Sequence, residues 1–122
     1  MGDALADLML RNLSDVFGER DSARRMVAIE TLYSEDAVFF EAEQQFAGRQ
    51  AISDGVGALQ ASFPVEFEFT ALARPVRNHD LGRLIWRLGP AGSPPVGNRM
   101  DIAKFKDGGI RLLYVFLNDQ PH

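Results

Sequence analysis

The chain has 122 residues, enough for one hydrophobic core, and we expect a single domain over residues 1–122. Its net charge of -4 argues against nucleic acid or an anionic membrane surface as the main partner, because both need a basic face. With no cysteine, two histidines and no long apolar run, the sequence predicts no disulfide, no metal site, no cofactor and no membrane span, and we expect a cytoplasmic protein.

The first half of the sequence predicts three helices and one short strand. Apolar residues recur at helical spacing over residues 4–17, and Gly18 provides a stop. A second helix is predicted over residues 21–33, where an aspartate and a serine can cap its start. A short strand over residues 37–41 follows, and then a loop leads into a third helix over residues 49–63.

From residue 65 onward the apolar period changes to two, which predicts antiparallel strands. Asp107-Gly108-Gly109 predicts a tight hairpin turn between the last two strands, and the glycine- and proline-rich residues 89–97 predict a connector. The predicted strands cover residues 65–69, 82–88, 99–106 and 110–117.

The last predicted strand is apolar on both faces, so we expect both faces to be covered. One face carries Leu113 and Val115, and the other carries Leu112, Tyr114 and Phe116. A second subunit packed on the outer face would explain the pattern and predicts a homodimer. The alternative is that the helices cover opposite faces of the sheet.

Two carboxylates interrupt strands that are otherwise apolar. Glu41 shares a strand face with Phe39, and Asp101 shares one with Ala103 and Phe105. A carboxyl group held in an apolar cavity has a raised pKa and can act as an acid or a base near neutrality. Glu41 and Asp101 are therefore the candidate catalytic residues.

Three segments of the sequence carry a resemblance to a known superfamily. With the predicted order of helices and strands, the chain resembles the nuclear transport factor 2-like superfamily, and within it the polyketide cyclases and ketosteroid isomerases. The resemblance implies a cystatin-like α+β fold, in which a cone-shaped, mainly antiparallel sheet wraps around three N-terminal helices and one apolar pocket. The segments are Leu32-Tyr33-Ser34-Glu35-Asp36-Ala37-Val38-Phe39, Gly48-Arg49-Gln50-Ala51-Ile52 and Phe105-Lys106-Asp107-Gly108-Gly109-Ile110.

The resemblance also implies roles for the two carboxylates. Glu41 falls where ketosteroid isomerases place the aspartate that moves the proton, and Asp101 falls where they place a protonated aspartic acid that donates to the enolate oxygen. The catalytic tyrosine of their first helix has no counterpart, because Leu13 holds that position, so steroid isomerisation itself is not expected. Many members form dimers through the outer sheet face, in agreement with the two-faced last strand.

Arg99 allows a different interpretation of Asp101. It lies two residues away on the same strand face, and an ion pair between them would lower the pKa of Asp101 and remove it as a hydrogen-bond donor. Tyr33 could point its hydroxyl group at the pocket mouth or pack at the rim. Further ligand contacts are predicted from the residues expected to face the pocket, namely Tyr33, Phe39, Phe67, Leu84, Trp86, Leu88, Arg99 and Leu113.

Two classes of function follow. One is a cofactor-independent isomerase or cyclase that acts on a small hydrophobic carbonyl compound by carboxylate acid–base chemistry. The other is a non-catalytic dimeric module that binds an apolar small molecule or a protein. The missing tyrosine and the nearby Arg99 favour the second class, and the pair of carboxylates favours the first.

Overall fold

The computed structural model describes residues 3–92 and 97–117. Within these residues, three α-helices and one π-helix accompany a sheet of seven strands. The helices are α1 (Ala4–Arg11), the π-helix (Asn12–Phe17), α2 (Ser22–Leu32) and α3 (Arg49–Ala61). The strands are β1 (Tyr33–Glu41), β2 (Gln44–Ala47), β3 (Phe67–Ala71), β4 (Val76–Asn78), β5 (Leu81–Pro90), β6 (Gly97–Lys106) and β7 (Gly109–Leu117).

The sheet is mixed and open, and its strands lie in the order β2-β1-β7-β6-β5-β3, with β4 also paired to β5. β1 and β7 run parallel, and the other neighbours run antiparallel. The predicted α+β class is confirmed. Pro75 lies between β3 and β4, which both pair with β5 at one edge of the sheet. Proline is tolerated at such an edge position.

The helix starts and the hairpin turn form where the sequence predicts them. Asp3 and Asp21 cap α1 and α2 through side-chain oxygens that accept from backbone N–H groups of the first turn. Asp107 and Gly108 both have positive φ, at 53° and 81°, as a two-residue hairpin turn requires. These local signals set the element boundaries, and the connector predicted over residues 89–97 lies partly outside the described residues.

The core lies between the helices and one face of the sheet, which we call the inner face. Its fully buried side chains include Phe17, Ile29 and Ile52 from the helices, and Phe39 and Trp86 from the strands. The opposite, outer face carries half-exposed or exposed side chains, with Phe116 exposed to 48%. The alternative in which helices cover both faces is therefore wrong for the described residues. No helix among them is long and apolar enough to cross a membrane.

One predicted helix changes type along its length, and one predicted loop is wrong. The first predicted helix changes to a π-helix at Asn12, where Gly18 N–H donates to the carbonyl of Leu13, five residues earlier, at 2.9 Å. The predicted loop before α3 contains β2, which pairs with β1 through a turn at Ala42. The exposed glutamines of this edge strand show no apolar alternation, so the period-of-two signal is missing.

Two glycines in α3 allow close packing. A Cβ atom at Gly55 would lie 2.9 Å from the ring of Phe46, and one at Gly57 would lie 3.1 Å from Nη2 of Arg25. Glycine weakens a helix by about 1 kcal/mol relative to alanine. Because these two positions of α3 have no side chain, Phe46 of β2 and Arg25 of α2 can pack directly on the helix backbone.

Candidate functional site

The two carboxylates lie in one row across the sheet. Glu41 of β1 and Asp101 of β6 are both register partners of Val115 on β7. Paired residues share a face, and neighbouring strands are about 4.8 Å apart, so both carboxylates belong to the inner face at a Cα separation of about 10 Å. The fold therefore brings together the two residues that the sequence selects.

Asp101 is the buried member of the pair. It is 1% exposed, and its Oδ1 accepts a hydrogen bond from Nε1 of Trp86 at 2.9 Å. Burial raises the pKa of Asp101 to about 7, and the hydrogen bond from the indole opposes that rise. A carboxyl group in this setting is partly protonated at neutral pH, so it can donate a hydrogen bond.

Arg99 does not neutralise Asp101. It lies directly opposite Trp86 in the strand register and is buried, and its charge lowers the pKa of Glu41. A paired arginine would lower the pKa of Asp101, whereas that pKa is raised. The predicted ion pair between Arg99 and Asp101 is therefore not the arrangement found.

Glu41 is the accessible member of the pair. It is half-buried, and burial raises its pKa while the charge of Arg99 opposes the rise. Its side chain borders an open cleft of about 210 Å³ between the β1–β2 hairpin and α3. The other residues that line this cleft are Gln44, Phe46, Gly55, Ala58, Leu59 and Ser62.

Tyr33 lies in the core, so both predictions for it, at the pocket mouth and at the rim, are wrong. It is 2% exposed, and its hydroxyl group donates to Oδ1 of Asn12 at 2.5 Å. Burial raises the pKa of Tyr33 well above its usual value, and the negative charge of Asp101 raises it further, while the bond to Asn12 opposes both. The electrostatic influence places Tyr33 in the neighbourhood of Asp101.

Asn12 is a buried polar residue beside Tyr33 that the sequence pattern did not single out. It is 1% exposed and starts the π-helix, one residue before Leu13. A single asparagine within an apolar helical run was the available signal. It gives the tyrosine hydroxyl a partner inside the core, where an unpaired polar group would be costly.

The predicted apolar contacts fall into two groups. Phe39, Leu84, Leu88 and Leu113 are fully buried on the inner face, in the same core cluster as Trp86. Phe67 lies on β3, near the other edge of the sheet, and borders a different cleft of about 580 Å³ beside the end of the π-helix. Trp86 contacts Asp101 directly, the four other residues belong to the same core cluster, and Phe67 packs against that cluster from the edge strand.

Metal-ligating residues do not cluster in the described parts of the chain. No group of three or more histidine, cysteine, aspartate or glutamate side chains there is arranged to hold a metal ion. What the site offers is one half-exposed carboxylate, one buried carboxyl group, an indole and an apolar wall. Glu41 borders a cleft and can exchange protons with a ligand there, whereas neutral Asp101 is a hydrogen-bond donor held inside the core.

No protein-family model matches this chain, and no curated protein matches it. Several solved structures match this chain. A candidate isomerase of the SnoaL-like family from Agrobacterium tumefaciens superposes with a TM-score of 0.84 at 22% identity, over 94% of this chain and 97% of that one. A candidate SnoaL-like polyketide cyclase from Jannaschia gives 0.76 at 13% identity, over 94% and 85% of the two chains. A candidate ketosteroid isomerase from Kribbella flavida gives 0.72 at 12% identity, over 98% and 81%.

These superpositions establish the fold, and at identities below 25% they establish the fold alone. The chain has the nuclear transport factor 2-like fold of SnoaL-like polyketide cyclases and ketosteroid isomerases, and the resemblance seen in the sequence is confirmed at that level.

Proposed function

We propose that this protein binds a small hydrophobic carbonyl compound at the inner face of its sheet and catalyses an isomerisation or cyclisation without a cofactor. Glu41 is the base that takes a proton next to the carbonyl group, and Asp101 in its neutral form donates a hydrogen bond to the developing oxyanion. The observation that carries the proposal is the burial of Asp101 beside an uncharged donor, with the pKa raised to about 7.

The two carboxylates have environments suited to different roles. Glu41 borders an open cleft, so a ligand can reach it, and its pKa is raised above the ordinary value, which makes it a stronger base than a free glutamate. Asp101 is fully buried and has no access to bulk water, which favours the neutral form. Two carboxyl groups whose environments give them different pKa values are typical of an acid and base pair. The names of the structural neighbours include isomerase and polyketide cyclase, which are the reaction classes proposed here.

Proton exchange at carbon provides a test that needs no knowledge of the natural substrate. Cyclic ketones and 1,3-diketones in D2O serve as probes, and NMR measures deuterium incorporation next to the carbonyl group. We expect the protein to accelerate the exchange, and Glu41→Gln to reduce the acceleration by about 10²–10⁴-fold, because the general base is lost.

The matched control for this test is Glu43→Gln, which makes the same change at an exposed residue two positions along the chain. It should leave the exchange rate unchanged. Exchange that is equally fast in Glu41→Gln would contradict the role of Glu41, and no acceleration with any probe would contradict the catalytic proposal.

A non-catalytic binding module is the second candidate. The observation in its favour is the tight packing around Asp101, since Tyr33, Trp86 and Leu84 are each at most 2% exposed. In that case the probes bind and shift NMR signals of residues on the inner face, but no exchange occurs.

We further propose a homodimer formed through the outer face. Its support is the apolar surface around Leu112, Tyr114 and Phe116, which are half-exposed or exposed in one chain. Phe40 stacks on Tyr114 with ring centroids 4.6 Å apart, so the surface is a preformed aromatic patch.

A charge placed in that patch tests the dimer. Phe116→Lys should shift the protein from dimer to monomer in sedimentation equilibrium, because a lysine pair would be buried at the interface. Val27→Lys is the matched control, since Val27 is an exposed apolar residue of α2, at 64%, away from the sheet. A wild-type protein that sediments as a monomer would contradict the proposal.

A further inference from the structure

Trp86 is the single tryptophan of the chain, and its indole N–H group forms a hydrogen bond inside the core. The residue is 1% exposed on the inner face of β5, and its indole packs on Phe69 with ring centroids 5.3 Å apart. Its Nε1–H donates to Oδ1 of Asp101, which lies diagonally across the strand pair. The indole therefore does not offer this N–H group to a ligand, although the sequence suggests Trp86 as a ligand contact.

The partner of Asp101 determines what the carboxyl group can do. Asp101 exerts an electrostatic influence on Tyr33 of β1, Arg99 is two residues along β6, and Glu41 lies two strands away. Of these neighbours, the arginine would convert Asp101 into a permanent anion if it were its hydrogen-bond partner. The hydrogen bond instead comes from an uncharged donor, which orients the carboxyl group and leaves it able to hold a proton.

Among the described residues, the hydrogen bond to Asp101 from Trp86 reaches one oxygen atom and so distinguishes the two oxygen atoms of the carboxyl group. Oδ1 accepts from the indole, and an oxygen that already accepts a hydrogen bond in this way is the acceptor end of the group. The proton of the neutral acid then lies on Oδ2.

We propose that Trp86 is the positioning residue of Asp101: its indole N–H fixes Oδ1, so that Oδ2 is the protonated oxygen presented to the ligand. This inference rests on the proposed function, since it assigns the geometry of the acid at that site. Trp86 itself touches neither the ligand nor the reacting atoms.

The test uses the fact that the chain has one tryptophan. Growth on β-(benzothienyl)alanine replaces Trp86 alone by an isostere that lacks the N–H group, so that packing is preserved while the hydrogen bond is lost. The ¹³C signal of the Asp101 carboxyl group is then titrated in both proteins. We expect its midpoint to rise by about one pH unit or more, a tenfold change in acid dissociation, because the carboxylate form loses its donor.

Two further measurements complete the test. In the unmodified protein, the one indole N–H signal should shift with pH at the same midpoint as the Asp101 carboxyl signal. Ile29→Val, which perturbs the same core without changing a polar group, should leave that midpoint in place. An unchanged Asp101 midpoint in the isostere would overturn the role of Trp86.

The ligand-free titration separates this inference from the proposed function. If the exchange reaction exists, its pH profile should move with the Asp101 midpoint in the isostere-containing protein. A residue with a merely structural role would not shift this profile. A profile that stays in place while the carboxyl midpoint moves would also overturn the positioning role. If no probe exchanges while the midpoint still shifts, the catalytic proposal fails, whereas the hydrogen-bond assignment is supported.

Discussion

The free energy of unfolding should fall by about 4 kcal/mol as the pH rises from 4 to above 7, and Asp101→Asn should remove most of that fall. The folded state holds the Asp101 proton with a pKa of about 7, against an ordinary value of 3.8. Between these values the folded state binds more protons than the unfolded state, so stability decreases with rising pH. The stabilisation from the Asp101 proton is full below pH 3.8, decreases between pH 3.8 and about 7, and is lost above the folded-state pKa.

Urea unfolding at several pH values measures this effect. Asn resembles the protonated form of Asp101 and does not ionise, so we expect the variant to be more stable than the wild type at pH 8. Asp107→Asn is the matched control, because it makes the same change at an exposed turn residue with φ of 53°, a conformation that asparagine tolerates. A wild type and an Asp101→Asn variant with equal pH dependence would show that Asp101 is not a buried acid.

Replacement of Arg25 should destabilise the protein by about 3 kcal/mol. Arg25 is 5% exposed and joins three elements: its guanidinium group donates to Oγ of Ser53 at 3.1 Å, and to Oε1 of Gln60 and the carbonyl of Glu19 at 3.0 Å. Gln60 in turn donates to the carbonyls of Phe17 and Glu19 at 2.9 and 2.8 Å. The cluster ties α2 and α3 to the chain that follows the π-helix.

The variant that tests this cluster is Arg25→Met, which retains most of the apolar length and removes the donors. Thermal and urea unfolding should both show the loss, and Arg25→Lys should restore little of it because an ammonium group cannot reproduce the planar fork. Arg24→Met is the control, since the neighbouring Arg24 is exposed. Equal stability of the two methionine variants would contradict the role of Arg25.

Most of the fold was predictable because its signals are local. The caps at Asp3 and Asp21, the hairpin turn at Asp107-Gly108 and the period-of-two pattern after residue 65 each depend on a few neighbouring residues. The π-helix was not predictable because its apolar residues keep ordinary helical spacing, and the edge strand β2 was not predictable because it carries no apolar alternation.

The candidate site was predictable in its residues but not in its contacts. The alternation along β1 and β6 selects Glu41 and Asp101, and the structure places both on the inner face. The sequence also puts Arg99 on the same strand face as Asp101, and spacing alone makes an ion pair as plausible as any other contact. Whether Asp101 contacts Arg99 or Trp86 depends on the register between β5 and β6. The sequence of either strand alone does not specify that register.

Tyr33 shows the same limit. Its position at the end of a predicted helix gives no indication that the chain enters a strand there and turns the ring into the core, where Asn12 is its partner. The asparagine lies 21 residues earlier, and contacts over that separation require the fold.

The proposed function depends on Asp101 being a buried acid that is still protonated near neutral pH. Its most direct test is a ¹³C NMR titration of the Asp101 carboxyl group in the wild-type protein, with the signal assigned by comparison with Asp101→Asn. We expect a midpoint near pH 7. A midpoint at or below the ordinary aspartate value of about 4 would contradict it, because such a carboxylate could not donate a hydrogen bond to a ligand.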